Sequence, residues 1–220
     1  MTPKPRFTRD QLQSTALDLI DKGGLRALSM RSLASKLGTG AMTIYNYVRN
    51  RDELDTLAVD AVFAEMRWPK TQGDWLKDVS GFAEAAWLAI HNHPNVIPLI
   101  LSRRPLEINL EHREALLQAL ALSGRSKEQL LAAFHTVLGF VHGFAQSYQG
   151  SAWSSNREAL PPDRFPMLIK LSEISKRVDP KDEFHAGLNI VMAGLAATSK
   201  NLRQGVRTQK GAHPSSVGLG

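Results

Sequence analysis

Leu28 to Arg51, LSMRSLASKLGTGAMTIYNYVRNR, is the stretch that most narrows what this chain can become. It reads as two short helices joined by a tight turn. Ser29 is placed to cap the first, because a serine hydroxyl accepts a hydrogen bond from an amide that the first helical turn leaves unpaired. Leu33, Ala34 and Leu37 recur at helical spacing and give that helix one apolar face. Gly38 ends it, since glycine enters the left-handed conformation after a helix without steric cost. Thr39-Gly40 turns the chain, and a second helix is expected over Ala41 to Val48, with Ile44 and Val48 facing inward. Its other face carries Met42, Thr43, Tyr45, Asn46 and Tyr47, with Arg31, Arg49 and Arg51 around it. A short helix with small and amide side chains near its start, ringed by Arg and Tyr, suits the DNA major groove. The small residues allow close approach, the Asn can pair with a base edge, and Arg and Tyr reach phosphates.

Charge supports that reading. Residues 1–51 hold nine basic residues and three acidic ones, so this segment alone carries the net charge of +6. The remainder is neutral. A basic end on a neutral body is what attraction to phosphate requires.

The motif also resembles a known family. Gly-Leu-Arg-Ala-Leu-Ser-Met-Arg-Ser-Leu-Ala-Ser-Lys-Leu-Gly (24–38), followed by Thr43-Ile44-Tyr45-x-Tyr47-Val48-x-Asn50-Arg51-x-Glu53-Leu54, is similar to the DNA-binding region of TetR-type (tetracycline-repressor-like) transcriptional regulators. The resemblance is specific over about residues 8–64 and architectural beyond. It departs at Tyr47 and Arg51, where family members usually carry His and Lys; both substitutes can still donate to phosphate. The expected DNA-contacting set is Ser29, Arg31, Ala41, Met42, Thr43, Tyr45, Asn46, Tyr47 and Arg51.

The rest of the chain reads as helices without strands or repeats. Thr8-x-x-Gln11 is a capping-box pattern opening a helix with Leu12, Ala16, Leu19 and Ile20 along one side. Asn50-x-x-Glu53 opens a connecting helix over about 50–66. Asp74 can cap a long helix bearing Trp75, Val79, Phe82, Ala86, Trp87 and Ile90, ended by His93-Pro94. A short apolar segment to Ser102 follows, then helices over about 107–122, 126–149, 164–177 and 179–203, with a loop at 150–163. The fold class is therefore all-α, with an N-terminal three-helix helix-turn-helix bundle and a larger helical ligand-binding and dimerisation domain. The expected division is 1–52 for DNA binding, 67–204 for the body, and 205–220 as a disordered tail.

Gly139 and Gly143 on one late helix, with Gly187, Val191 and Gly194 on the last, would let helices approach closely and suggest a seam between two copies of the chain. A two-fold dimer fits DNA reading, since paired recognition helices meet a palindromic operator. The alternative is that these faces pack within one chain. The middle helices offer a pocket for an unidentified small molecule, with Trp87, His91, Phe134, His135, Leu138 and His142 as its candidate lining. Trp75, Met167, Gln146 and the apolar segment Val96–Leu101 belong to the same broader set, though an aromatic at stripe spacing is more often core.

The leading function is a ligand-responsive transcriptional regulator, a repressor released from its operator by a small molecule. Alternatives are a DNA-binding protein without a ligand and a helical metal-dependent enzyme. His91-x-His93 places its rings about 200° apart on a helix, too far to share a metal, and no GxSxG, HExxH or P-loop pattern occurs. No catalytic residue, metal or cofactor is expected. The chain has no cysteine, which excludes disulfides and thiolate chemistry. It has no apolar run of the ~18 residues that span a bilayer and no signal-peptide h-region, so a cytoplasmic, nucleoid-associated protein is expected.

Overall fold

A computed structural model describes residues 6–102, 110–149 and 160–210. Among these residues the structure is helical throughout, with no strand. The helices are α1 (Arg9–Gly23), α2 (Met30–Lys36), α3 (Ala41–Tyr45), α4 (Arg51–Ala64), α5 (Trp75–Asn92), α6 (Ile97–Ser102), α7 (Leu110–Ala121), α8 (Lys127–Gln149), α9 (Pro166–Ser175) and α10 (Pro180–Lys210). None is long and apolar enough to cross a membrane.

Local chemistry sets the N-terminal boundaries. Thr8 caps α1 by accepting from the Gln11 amide while the Gln11 side chain accepts from the Thr8 amide. Ser29 caps α2 in the same reciprocal way, with Ser32 in the role usually taken by Glu or Gln. Gly38 follows α2 at φ 64°, where any side chain would be strained. Asn50 accepts from the Glu53 amide and opens α4. Asp74 caps α5 through the Leu76 amide.

The helix-turn-helix unit is closed from behind by α1 and α4, which pack along each other. Leu12, Ala16, Leu17, Ile20, Leu33, Ala34, Ile44, Val48, Leu54 and Ala58 are all buried there. The same core runs on through Val62 into the body, where α5 lies between α7, α8 and α10. Trp87 is fully buried on α5, stacked on Phe184 of α10 with centroids 4.6 Å apart and an interplanar angle of 11°. A side chain of that size contributes a few kcal/mol by burial alone.

Three boundaries differ from the sequence reading. The recognition helix α3 ends at Tyr45 rather than Val48, because the chain must straighten for the extended Asn50 cap only five residues later. A Val48 amide to Ile44 carbonyl bond of 3.0 Å still carries Val48 into the core. Helix α9 spans less than 164–177. Helix α7 is described from Leu110 onward; the expected start at 107 lies outside the described residues, as does most of the loop expected at 150–163. Helix α10 continues to Lys210, so the tail expected from 205 begins as helix; residues 211–220 lie outside the described residues.

Candidate functional site

Two features sit at opposite ends of α4. At its N-terminus is the basic helix-turn-helix surface. On α3, Met42 is 78% exposed and Tyr45 46% exposed, while Ile44 between them is fully buried. Asn46 is exposed beside them, and Ala41 and Thr43 are half-buried. Arg31 on α2 projects into solvent, with no ion pair among the described residues. Large apolar and amide groups displayed on a five-residue helix, beside an unspent guanidinium, make a surface shaped for an external partner.

Three residues of the expected contact set are occupied inside the protein. The Ser29 hydroxyl is spent on capping α2. The Tyr47 hydroxyl accepts the Phe7 amide at 3.1 Å, and the two rings meet edge to face at 6.2 Å. Arg51 reaches back to donate to the Leu28 carbonyl at 2.5 Å and the Leu25 carbonyl at 3.3 Å, and pairs with Asp55 at 2.7 Å. It clamps the segment before α2 onto α4. Tyr47 and Arg51 are the two departures from the family pattern, and both make contacts that hold the recognition unit together; the Tyr47 hydroxyl accepts there and keeps its own O–H to donate. Arg6 also works locally, donating to Thr39 and the Gly38 carbonyl across the turn.

At the other end of α4 lies a cavity of about 250 Å³, close to the lower end of small-molecule sites. Phe63 of α4 and Met66 just beyond it form one wall, with Phe82 and Ala86 of α5 and Ile100 and Leu101 of α6. The remaining wall is His112 and Arg113 of α7, then His135, Leu138, Gly139, Val141 and His142 of α8. His112 joins the α4 end to the body, its ring 6.3 Å from Phe63 and 5.9 Å from Trp68, which packs on Phe82 at 4.5 Å. Burial lowers the pKa of His112, against an opposing pull from the charge of Glu111. Burial, and then the positive charge of Arg113, lower that of His142.

Of the expected lining, His135, Leu138 and His142 are on the cavity and Trp87, His91 and Phe134 are not. Trp87 is core, as its stripe spacing allowed, and His91 stacks on it at 4.9 Å from the solvent side. Phe134 is buried behind the wall with the Arg113 guanidinium 5.9 Å from its ring. Trp75 is covered by Arg125 at 4.7 Å, Met167 is exposed on α9, and Gln146 is exposed on α8. Sequence reasoning missed Phe63, Met66, Phe82, Ala86, His112 and Arg113. The stripe signal was there for Phe82 and Ala86, but it marks burial and does not say which buried side chains border a void.

The proposed seam also divides. A Cβ on Gly187 would lie 2.8 Å from the Phe140 ring, so this glycine lets α10 approach α8 within the chain. Val191 packs on the same core. Gly139, Gly143 and Gly194 have open space in front of them. Among the described residues, no three His, Asp or Glu side chains gather as a metal site.

The junction between the two ends is held by His93. Its Nδ1 lies 2.8 Å from Asp21 of α1 and its Nε2 2.9 Å from Glu65 at the end of α4. Asn95 adds donations to the Ile20 and Asp21 carbonyls. Burial alone would lower the His93 pKa, but the two carboxylate bonds and charges outweigh it and raise it above 6.5.

Comparison with known proteins places this architecture. Residues 69–199 match the family described as tetracyclin repressor-like, C-terminal domain. An HTH-type transcriptional regulator of Saccharopolyspora erythraea is 32% identical over 209 residues, covering 89% of this chain and 87% of the relative. The HTH-type transcriptional repressor DrrR1 of Streptomyces coeruleorubidus is 30% identical, covering 88% of this chain and 78% of the relative. The crystal structure of the TetR family protein ActR of Streptomyces coelicolor in complex with actinorhodin superposes with a TM-score of 0.71 at 29% identity, over 90% of this chain and 98% of that one. With the helix-turn-helix at one end of α4 and the matched helical body at the other, the chain belongs to the TetR family of DNA-binding transcriptional regulators.

Proposed function

We propose that this protein is a repressor that occludes a promoter as a homodimer on a palindromic operator and is released when a small molecule enters the cavity behind α4. One observation carries the reading: α4 is capped by Asn50 in the recognition unit and carries Phe63, one residue before its end, on the cavity wall. A helix of this length is a rod of about 20 Å, so a ligand that displaces Phe63 or Met66 moves both ends together. The ligand shifts the equilibrium only through different affinities for the DNA-competent and released states. The DrrR1 name and the actinorhodin-bound ActR structure support repression and small-molecule binding as properties of relatives. On the DNA side, Tyr45 and Arg31 would meet phosphates and Ala41, Met42, Thr43 and Asn46 would face base edges. The function is exercised in the cytoplasm on the nucleoid and needs no catalytic chemistry.

The dimer is supported by apolar side chains that one chain leaves in water. Leu131 of α8 is 55% exposed, and Ile190 of α10 is 75% exposed one helical turn from the open face of Gly194. Selection of bound sequences from a random DNA pool tests the whole reading. Palindromes with half-sites about one helical turn or a small multiple apart are expected. Adding candidate ligands to the selected duplex then tests release. Binding that no compound weakens would favour the ligand-independent DNA-binding protein instead.

A further inference from the structure

We propose that the cavity takes an apolar, ring-containing molecule bearing one anionic group, a carboxylate or sulfonate, and that Arg113 holds that group. The inference rests on the cavity being the effector site and adds the chemical class of the effector. The wall is split. Phe63, Met66, Phe82 and Ile100 present hydrocarbon, while the polar side is His112, Arg113, His135 and His142. Among the described lining residues there is no carboxylate. Arg113 is half-buried in the first turn of α7, its guanidinium 5.9 Å from the Phe134 ring, and it has no ion pair among the described residues. A half-buried guanidinium with no anion beside it among the described residues is disfavoured in its charged form, and burial lowers its pKa accordingly. The two imidazoles lowered by burial, His112 and His142, favour their neutral forms, so positive potential centres on Arg113. A neutral ligand would leave that charge uncompensated and a cationic one would be repelled. A carboxylate or sulfonate restores the balance and matches the planar donor fork. The hydrocarbon wall supplies the affinity for rings.

The test uses the full chain and two fluorescent probes that share one aromatic body. 8-Anilinonaphthalene-1-sulfonate carries the anion and N-phenyl-1-naphthylamine lacks it. The sulfonate probe is expected to bind the wild type more tightly. Arg113→Gln should weaken it by about tenfold or more while changing the neutral probe by less than about twofold, and Arg113→Lys should keep most of the preference. Leu138→Trp, which fills the cavity, should remove both probes. If both probes bind and are lost in Leu138→Trp, but Arg113→Gln affects neither or both alike, the anion assignment is wrong and the cavity reading stands. If neither probe binds the wild type, or both survive Leu138→Trp, the cavity reading falls and takes the assignment with it.

Discussion

Arg31 and Arg51 are both arginines of the recognition unit, and their surroundings separate their roles. Arg31 is exposed, with no ion pair among the described residues. Its replacement by alanine should weaken binding on all sequences and reduce the slope of log K against log salt by about one, as one phosphate contact is lost. Arg51 is tied to Leu25, Leu28 and Asp55. Arg51→Ala should cost roughly 1–2 kcal/mol of folding stability by leaving two carbonyls and a carboxylate underserved. Binding should fall with the salt slope unchanged. A lowered slope with unaltered stability would return Arg51 to the phosphate contacts. Asn46, exposed at the end of α3, should read a base: Asn46→Ala is expected to change preference at one half-site position by ~1–3 kcal/mol. Equal loss on every sequence would contradict that role.

At the scale of elements, α4 is the shared rod and His93 is the pin at its C-terminal end. The pin joins α1, α4 and the end of α5 through Asp21 and Glu65. Because the folded state raises the His93 pKa, it binds the proton more tightly than the unfolded chain does. The stability it contributes is therefore full below about 6.5 and fades as pH rises through the raised value. His93→Gln should lower stability by roughly 1 kcal/mol at pH 6, since Glu65 is half exposed and screened. The gap between wild type and variant should narrow in alkaline buffer. Denaturant melts at several pH values check this, and a gap that widens with pH would refute the charged form of the pin.

For the whole molecule, the proposed dimer is the property to test. Faces of α8 and α10 leave Leu131 and Ile190 in solvent, and α9 exposes Met167, Leu171 and Ile174 as well. If the proposed dimer packs through these faces, Ile190→Glu should place a charge in its seam, shift sedimentation from dimer to monomer, and weaken operator binding far more than the short α3 surface alone would suggest. A variant that remains dimeric with full operator affinity would move the seam elsewhere.

What the sequence determined by itself was local. Caps at Thr8, Ser29, Asn50 and Asp74, the glycine stop at Gly38 and the inward Ile44 and Val48 are set by neighbours a few residues away, so spacing alone locates them. The basic segment and its exposed Met42, Tyr45 and Asn46 followed from the same periodicity. Tertiary structure decided which groups remained available. Arg51 and Tyr47 are donors and acceptors by chemistry, and partners 23 and 40 residues away engage them. Gly187 looked like a seam residue until Phe140 was found against it. The cavity draws on five helices, from Phe63 to His142, and its Arg113 carries no sequence signal of its own. A void is the space that packed helices fail to fill, and the helical stripe of any one of them records burial without recording what lies on the other side.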